Sequence, residues 1–314
     1  LQAYFAKGLA YFLLARDWGE VPIIRSSTDF VQLGKSSVNE VLQEAVKYAL
    51  LAMELPEYSE LTNYEGKPRT TKQFGSKGAA AALTAHIYAW WASVEQNVEY
   101  WKEAEKYCTM IMEGKVGYYA LATDPEAVCK DVMRGNSVES ILEGYRSIDD
   151  NFSFSTYPAY FSEEFVGFPV NASSSMSPYE DYDYEMNKTT VNDLFDKNDL
   201  RRYAYFWAID ADSIFIISEG SGQRLVQVYR VCDGENKVYI KYDRKNQESD
   251  TIPDIYESGS VIVGKYDNEK IEKALLFKFR YPYTELDDDD LEEKYIGQNI
   301  NKVFWRLADI ILLR

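Results

Sequence analysis

The sequence predicts a mainly α-helical protein whose helical hairpins are followed by an irregular region containing short β-strands. Three observations predict that class. Apolar residues recur at three- and four-residue steps through four stretches before Gly114, the mark of amphipathic helices. From Asn136 this texture stops, and Ser, Tyr, Asn, Pro and acidic residues become prominent. Between residues 213 and 265 apolar and polar positions alternate, as they do on strands.

Composition narrows the field. A chain of 314 residues supports one large domain or two small ones, and 46% hydrophobic against 27% charged residues is a globular balance, not a disordered one. A net charge of −17 repels phosphate backbones and argues against a nucleic-acid partner. No apolar window of about 18 residues, the length needed to span a bilayer, occurs. The chain opens inside a helical pattern without an initiator Met or a charged leader, and it closes in the apolar run VFWRLADIILLR. The expectation is an internal segment of something longer. Cys108, Cys129 and Cys232 are too few and too scattered for a disulfide framework or a CxxC metal spacing.

The elements follow in order. In the first helix Leu1, Phe5, Gly8, Leu9, Phe12 and Arg16 recur at helical steps, Gly19 suits the left-handed turn that ends it, and Pro22 cannot extend it. In the second, Val41, Leu42, Ala45, Val46, Ala49 and Met53 mark an apolar face, Asn39 is the expected N-cap, and Pro56 is the stop. A third helix runs from about Thr71 to Trp91, its centre GAAAALTAHIYAWW keeping side chains small so that helix axes approach closely. The fourth, WKEAEKYCTMIMEG, carries Trp101, Ala104, Tyr107, Cys108 and Ile111 on one face and closes at Gly114 and Gly117. SVESILEGYR then reads as a short strand, residues 147–188 as an irregular region, Thr190 to Phe195 as a short helix and YAYFWAI as a strand. Further strands are IFII, QRLVQVYRV and KVYIKYD, with Cys232-Asp233-Gly234-Glu235 as the turn between the last two.

Tyr11, Phe12, Leu13, Trp18, Gly19, Val21 and Pro22 form an aromatic helix that turns at Trp-Gly into Val-Pro-Ile-Ile. This stretch resembles the SusD/RagB family of nutrient-binding outer-membrane lipoproteins. Later stretches resemble the same family in the same order: Arg69, Thr71 and Lys72 before the alanine-rich helix, Glu139, Ile141 and Leu142 in the short strand, then Asp199, Arg201 and Arg202. The last is the run of Val303, Phe304, Arg306, Ala308, Asp309, Ile310 and Leu312. His86 stands where that family often carries Arg.

The resemblance implies tetratricopeptide-like (TPR-like) helical-hairpin repeats, with which the periodicity is compatible although the strict repeat pattern is missing. It implies one SusD-like domain truncated at both ends. Residues 1–135 would be the helical-hairpin part, 136–302 the irregular ligand-binding part with short strands, and 303–314 the start of a further repeat helix. It also implies a surface-exposed lipoprotein of the outer membrane, its lipid anchor outside this segment. Such a protein would bind oligosaccharide and pass it to a SusC-like TonB-dependent transporter, with no chemistry, no cofactor and no metal.

Catalytic constellations are hard to build from these residues. His86, the single histidine, sits among alanines and reads as a packed residue; alone it cannot assemble a multi-histidine zinc site. Gly75-Ser76-Lys77-Gly78 lacks the phosphate-loop spacing. The acidic run Asp287 to Asp290 with Glu292 and Glu293 lacks EF-hand spacing and reads as a solvated loop in preference to a calcium site. With 51 Asp and Glu residues some pair will be close, yet no feature selects a glycosidase pair.

The expected ligand site lies in FVGFPVNASSSMSPYEDYDYEMN, where Tyr179, Tyr182 and Tyr184 alternate with carboxylates. A flat ring accepts the C–H side of a sugar and the neighbouring acceptors take its hydroxyls. Phe168, Asn171, Tyr179, Asp181, Tyr182 and Tyr184 are the candidate contacts, chosen by composition and position, with Tyr157 and Trp207 behind them. The competing view is that these rings cover the helical layer. Each hydroxyl contact gains only ~0.5–1.5 kcal/mol net, so a shallow site holds ligand at roughly micromolar to millimolar Kd. Rival functions are a RagB-like peptide-binding component, for which acidic loops favour cationic ligands, and a repeat scaffold with no small ligand. A glycosidase is the distant fourth.

Overall fold

In the computed structural model of the chain, helix α1 (Gln2–Trp18) buries Phe5, Gly8, Tyr11, Phe12 and Ala15. This is the expected face, except that Leu1 is 52% exposed and Arg16 lies at the rim. A Cβ on Gly8 would sit 3.0 Å from the Ala49 nitrogen and 3.1 Å from the Ala45 oxygen, so α1 meets α2 (Val38–Ala52) backbone to backbone. Gly19 takes φ 72°, as the sequence predicts, and its N–H caps the Ala15 carbonyl. The Tyr11 hydroxyl donates to the Ile24 carbonyl and accepts from the Ile24 N–H, both at 3.0 Å, which pins the chain leaving the helix.

The structure describes residues 1–26, 28, 33–133, 135–144, 186–211, 213–219, 222–233, 236–243, 248–252, 261–267, 271–276, 278, 285–286, 293–294 and 302–314. They belong to two units: Leu1–Thr123 with Asp131–Asp150 and Asn301–Arg314, and Asp124–Lys130 with Asn151–Ile300.

In the first unit α2 is capped by Ser37 and not by Asn39. Ser37 and Glu40 bond reciprocally as a capping box, which requires the acid three residues on. The Asn39 side chain instead accepts from Trp91 Nε1 at 3.0 Å. Helix α3 (Lys77–Glu95) starts after the expected Thr71 because the Ser76 hydroxyl accepts from the Ala79 N–H and makes the cap there. Ala79 to Ala82 are fully buried, as small residues at a close helix contact should be. Helix α4 (Val98–Met112) buries Ala104, Tyr107, Cys108 and Ile111. Between α3 and α4 the Trp91 and Tyr100 rings stack at 4.4 Å, and Tyr88 and Tyr107 at 6.1 Å. Here tyrosine serves as interhelical packing.

Helices α1 and α2 form one hairpin, α3 and α4 a second, and α2 packs on α3. Strand β1 (Ser140–Gly144) pairs antiparallel with a closing strand, Lys302–Arg306, and the closing helix Leu307–Leu313 packs on α4 and α3. Residues 303–306, which the sequence alone places in a helix, are therefore strand, and the helix begins at Leu307. Ile141, Leu142, Trp305, Leu307 and Ile310 join the helical residues in one core. The mainly α, TPR-like class holds.

The second unit has its own small core of Val191, Phe206, Ile209 and Ala274. After β2 (Met186–Asn187) come α5 (Lys188–Leu194), α6 (Leu200–Tyr205) and β3 (Phe206–Trp207). Of the expected strand YAYFWAI, Tyr203 to Tyr205 end α6, Phe206 and Trp207 are strand, and Ala208 and Ile209 are turn. Asp199 caps α6 by accepting from the Arg201 N–H. Arg202 is buried and held by Asp210 at 2.6 and 3.0 Å and by Asn192 at 2.8 Å. The expected strands IFII, QRLVQVYRV and KVYIKYD then appear within β4 (Ser213–Glu219), β5 (Gly222–Asp233) and β6 (Asn236–Asp243), and the structure adds β7 (Glu248–Ile252) and β8 (Val261–Asp267). They form an antiparallel sheet in the order β7-β6-β5-β4-β8, with Asp233 opposite Asn236 on either side of the expected turn. A further strand, β9 (Lys273–Leu276), lies between β2 and β3.

Candidate functional site

Phe168, Asn171, Tyr179, Asp181, Tyr182 and Tyr184 lie outside the described residues, as do Tyr157 and Asp287 to Asp290. Trp207 is in β3, with its backbone opposite Leu275. His86 is on α3, stacked on Trp305 with centroids 5.2 Å apart and 16° between planes. Among the described residues no group of three or more His, Cys, Asp or Glu side chains gathers for a metal ion. Among them, too, no helix is long and apolar enough to cross a membrane.

The first unit carries a hollow of about 430 Å³ with the His86–Trp305 stack against it. Trp90, Trp101 and Phe304 line it and are 39%, 43% and 42% exposed. Their placement follows from helix geometry. Trp90 and Trp91 are neighbours on α3, so they point about 100° apart; Trp91 enters the core and Trp90 faces out. Trp101, on the first turn of α4, lies on the same hollow, and the closing strand brings in Phe304 and Trp305. The sequence pattern assigns Trp101 to a packed face and does not mark this hollow. A doublet of tryptophans on one helix was the available signal, since one helical face cannot bury both.

Polar groups stand at the same place. Arg16 lines the hollow and bonds Asp17 through Nε at 2.9 Å; Asp309 lines it and accepts from the Arg306 N–H through Oδ2, also at 2.9 Å. Burial pushes the His86 pKa down from 6.5 to about 4, with Asp309 opposing and Arg16 reinforcing the shift, so the imidazole is neutral near pH 7. Its Nε2 is buried and has no hydrogen-bond partner among the described residues. The arrangement offers aromatic faces, a neutral imidazole and one group of each charge. Ser93 also lines the hollow, and its hydroxyl donates to the Ala89 carbonyl one turn back on α3 at 3.1 Å.

A second hollow of the same unit, about 600 Å³, lies among Gln2, Phe5, Gly75, Leu142, Glu143 and Phe304. Its edge is tied together by Gln2, whose amide donates to the Gly75 carbonyl at 2.7 Å and accepts from the Gly75 N–H at 3.0 Å.

Residues 2–89 match the family model SusD-like_3, described as starch-binding and associating with outer membrane. Solved structures match in fold over 99% of the chain. A SusD homologue from Bacteroides thetaiotaomicron is 18% identical with TM-score 0.59, this chain covering 53% of it. A SusD superfamily protein from Bacteroides fragilis is 15% identical with TM-score 0.56, again covered over 53%. Surface glycan-binding protein A from Bacteroides uniformis is 13% identical with TM-score 0.53, covered over 52%. The chain thus spans about half the length of these proteins. No curated protein matches it. Residues 2–89 carry the SusD-like sequence pattern, and the chain has the SusD fold.

Proposed function

We propose that this protein captures oligosaccharide at the outer-membrane surface and passes it to a SusC-like TonB-dependent transporter, without chemistry of its own. The observation that supports this most is the conjunction of a starch-binding family match over residues 2–89 with a SusD fold over 99% of the chain. A surface glycan-binding protein of the same fold favours carbohydrate as the ligand class. Both units would belong to one SusD-like domain, held to the membrane by a lipid anchor elsewhere in the protein. The proposed contacts are Phe168, Asn171, Tyr179, Asp181, Tyr182 and Tyr184, in which aromatic faces alternate with hydrogen-bond acceptors. Loose binding, with Kd roughly micromolar to millimolar, suits capture followed by release.

Peptide is the second reading, because a net charge of −17 attracts cationic peptides. Isothermal titration of the protein with neutral oligosaccharides and with Lys/Arg-rich peptides separates the two. Heat on mixing with at least one glycan, and none with peptides, is the expected result. Binding of peptides alone overturns glycan capture. Replacing Tyr179 and Tyr182 together by Ala tests the proposed contacts, with about tenfold weaker binding expected.

A further inference from the structure

We draw no further inference here: the strongest candidate, the hollow between α3, α4 and the closing strand where Trp90, Trp101 and Phe304 stand exposed, is lined also by Leu313 beside the last residue of a chain that spans about half the length of the structures it matches, and nothing in the structure shows what covers it.

Discussion

Arg306 Nη1 donates a 2.8 Å hydrogen bond to Glu139 Oε1 across 167 residues of sequence, and Glu139 is 1% exposed. The other carboxylate oxygen accepts from the Ala122 N–H at 2.8 Å, and the Glu139 carbonyl accepts from the Leu307 N–H at 2.9 Å. One residue therefore ties β1, the chain leaving α4 and the start of the closing helix together. Breaking a buried pair by removing one partner leaves the other charge without compensation. Glu139→Gln should lower unfolding free energy by ~3–5 kcal/mol, read as a fall in urea midpoint. The double variant Glu139→Gln/Arg306→Met should recover part of the loss, and a double-variant loss equal to the sum of the Glu139→Gln and Arg306→Met losses would show that the pair is not coupled.

Both partners of that bond were visible in the sequence. Glu139 and Arg306 belong to stretches that resemble the SusD/RagB family in order, and the helices show in spacing because burial repeats at the helical period. The cap of α2 was misread because Asn39 and Ser37 are both good N-caps; the acid at Glu40, three residues after Ser37, decides between them. Tyr203 to Tyr205, the last residues of the helix Leu200–Tyr205, looked like strand because aromatic residues favour strands, while the Arg202–Asp210 pair in the same helix forms only in three dimensions. The aromatic hollow depends on Phe304 and Trp305 lying beside α3, which no local pattern encodes. The tyrosine-rich stretch chosen for ligand contacts lies outside the described residues and stands as a proposal.

Gly8→Ala tests the contact between α1 and α2. In an isolated helix this change would be favourable by ~1 kcal/mol. Here the new Cβ would sit 3.0 Å from the Ala49 nitrogen and 3.1 Å from the Ala45 oxygen, both backbone atoms, so the helices must move apart. Overpacking of that kind costs ~1–3 kcal/mol and outweighs the propensity gain. A net loss of stability is expected in chemical denaturation. Gly34→Ala, whose Cβ meets nothing within 4 Å, is the control and should be close to neutral.

His86 sets an acid limit on the first unit. Its pKa falls from 6.5 to about 4 in the folded protein, so between those values the unfolded chain binds more protons than the native one. Stability is complete above pH 6.5 and declines as pH drops toward 4, by up to ~2–3 kcal/mol from this group. His86→Phe keeps a ring to stack on Trp305 and abolishes the titration. Urea midpoints measured from pH 7 to 4.5 should therefore fall more steeply for wild type than for the Phe variant. Parallel curves would show that the imidazole is not held neutral.

Lys72 should act in the opposite window. Its Nζ donates at 2.6 Å to the carbonyls of Ser137 and Ser140 and faces the rings of Tyr58 and Tyr119 at 4.9 and 5.4 Å. Burial nevertheless pulls its pKa from 10.5 to about 8, Glu143 opposing. Above pH 8 the native state releases a proton that the unfolded chain keeps until near 10.5, so stability rises with pH, by up to ~2 kcal/mol between pH 8 and 10. The trend reverses near pH 10, because burial raises the Tyr58 and Tyr119 pKa values and the unfolded tyrosines ionise first. Midpoints from pH 7.5 to 10 should climb in wild type and stay flat in Lys72→Met. A flat wild-type curve would mean that the two carbonyls and two rings fully offset the loss of water around the ammonium group.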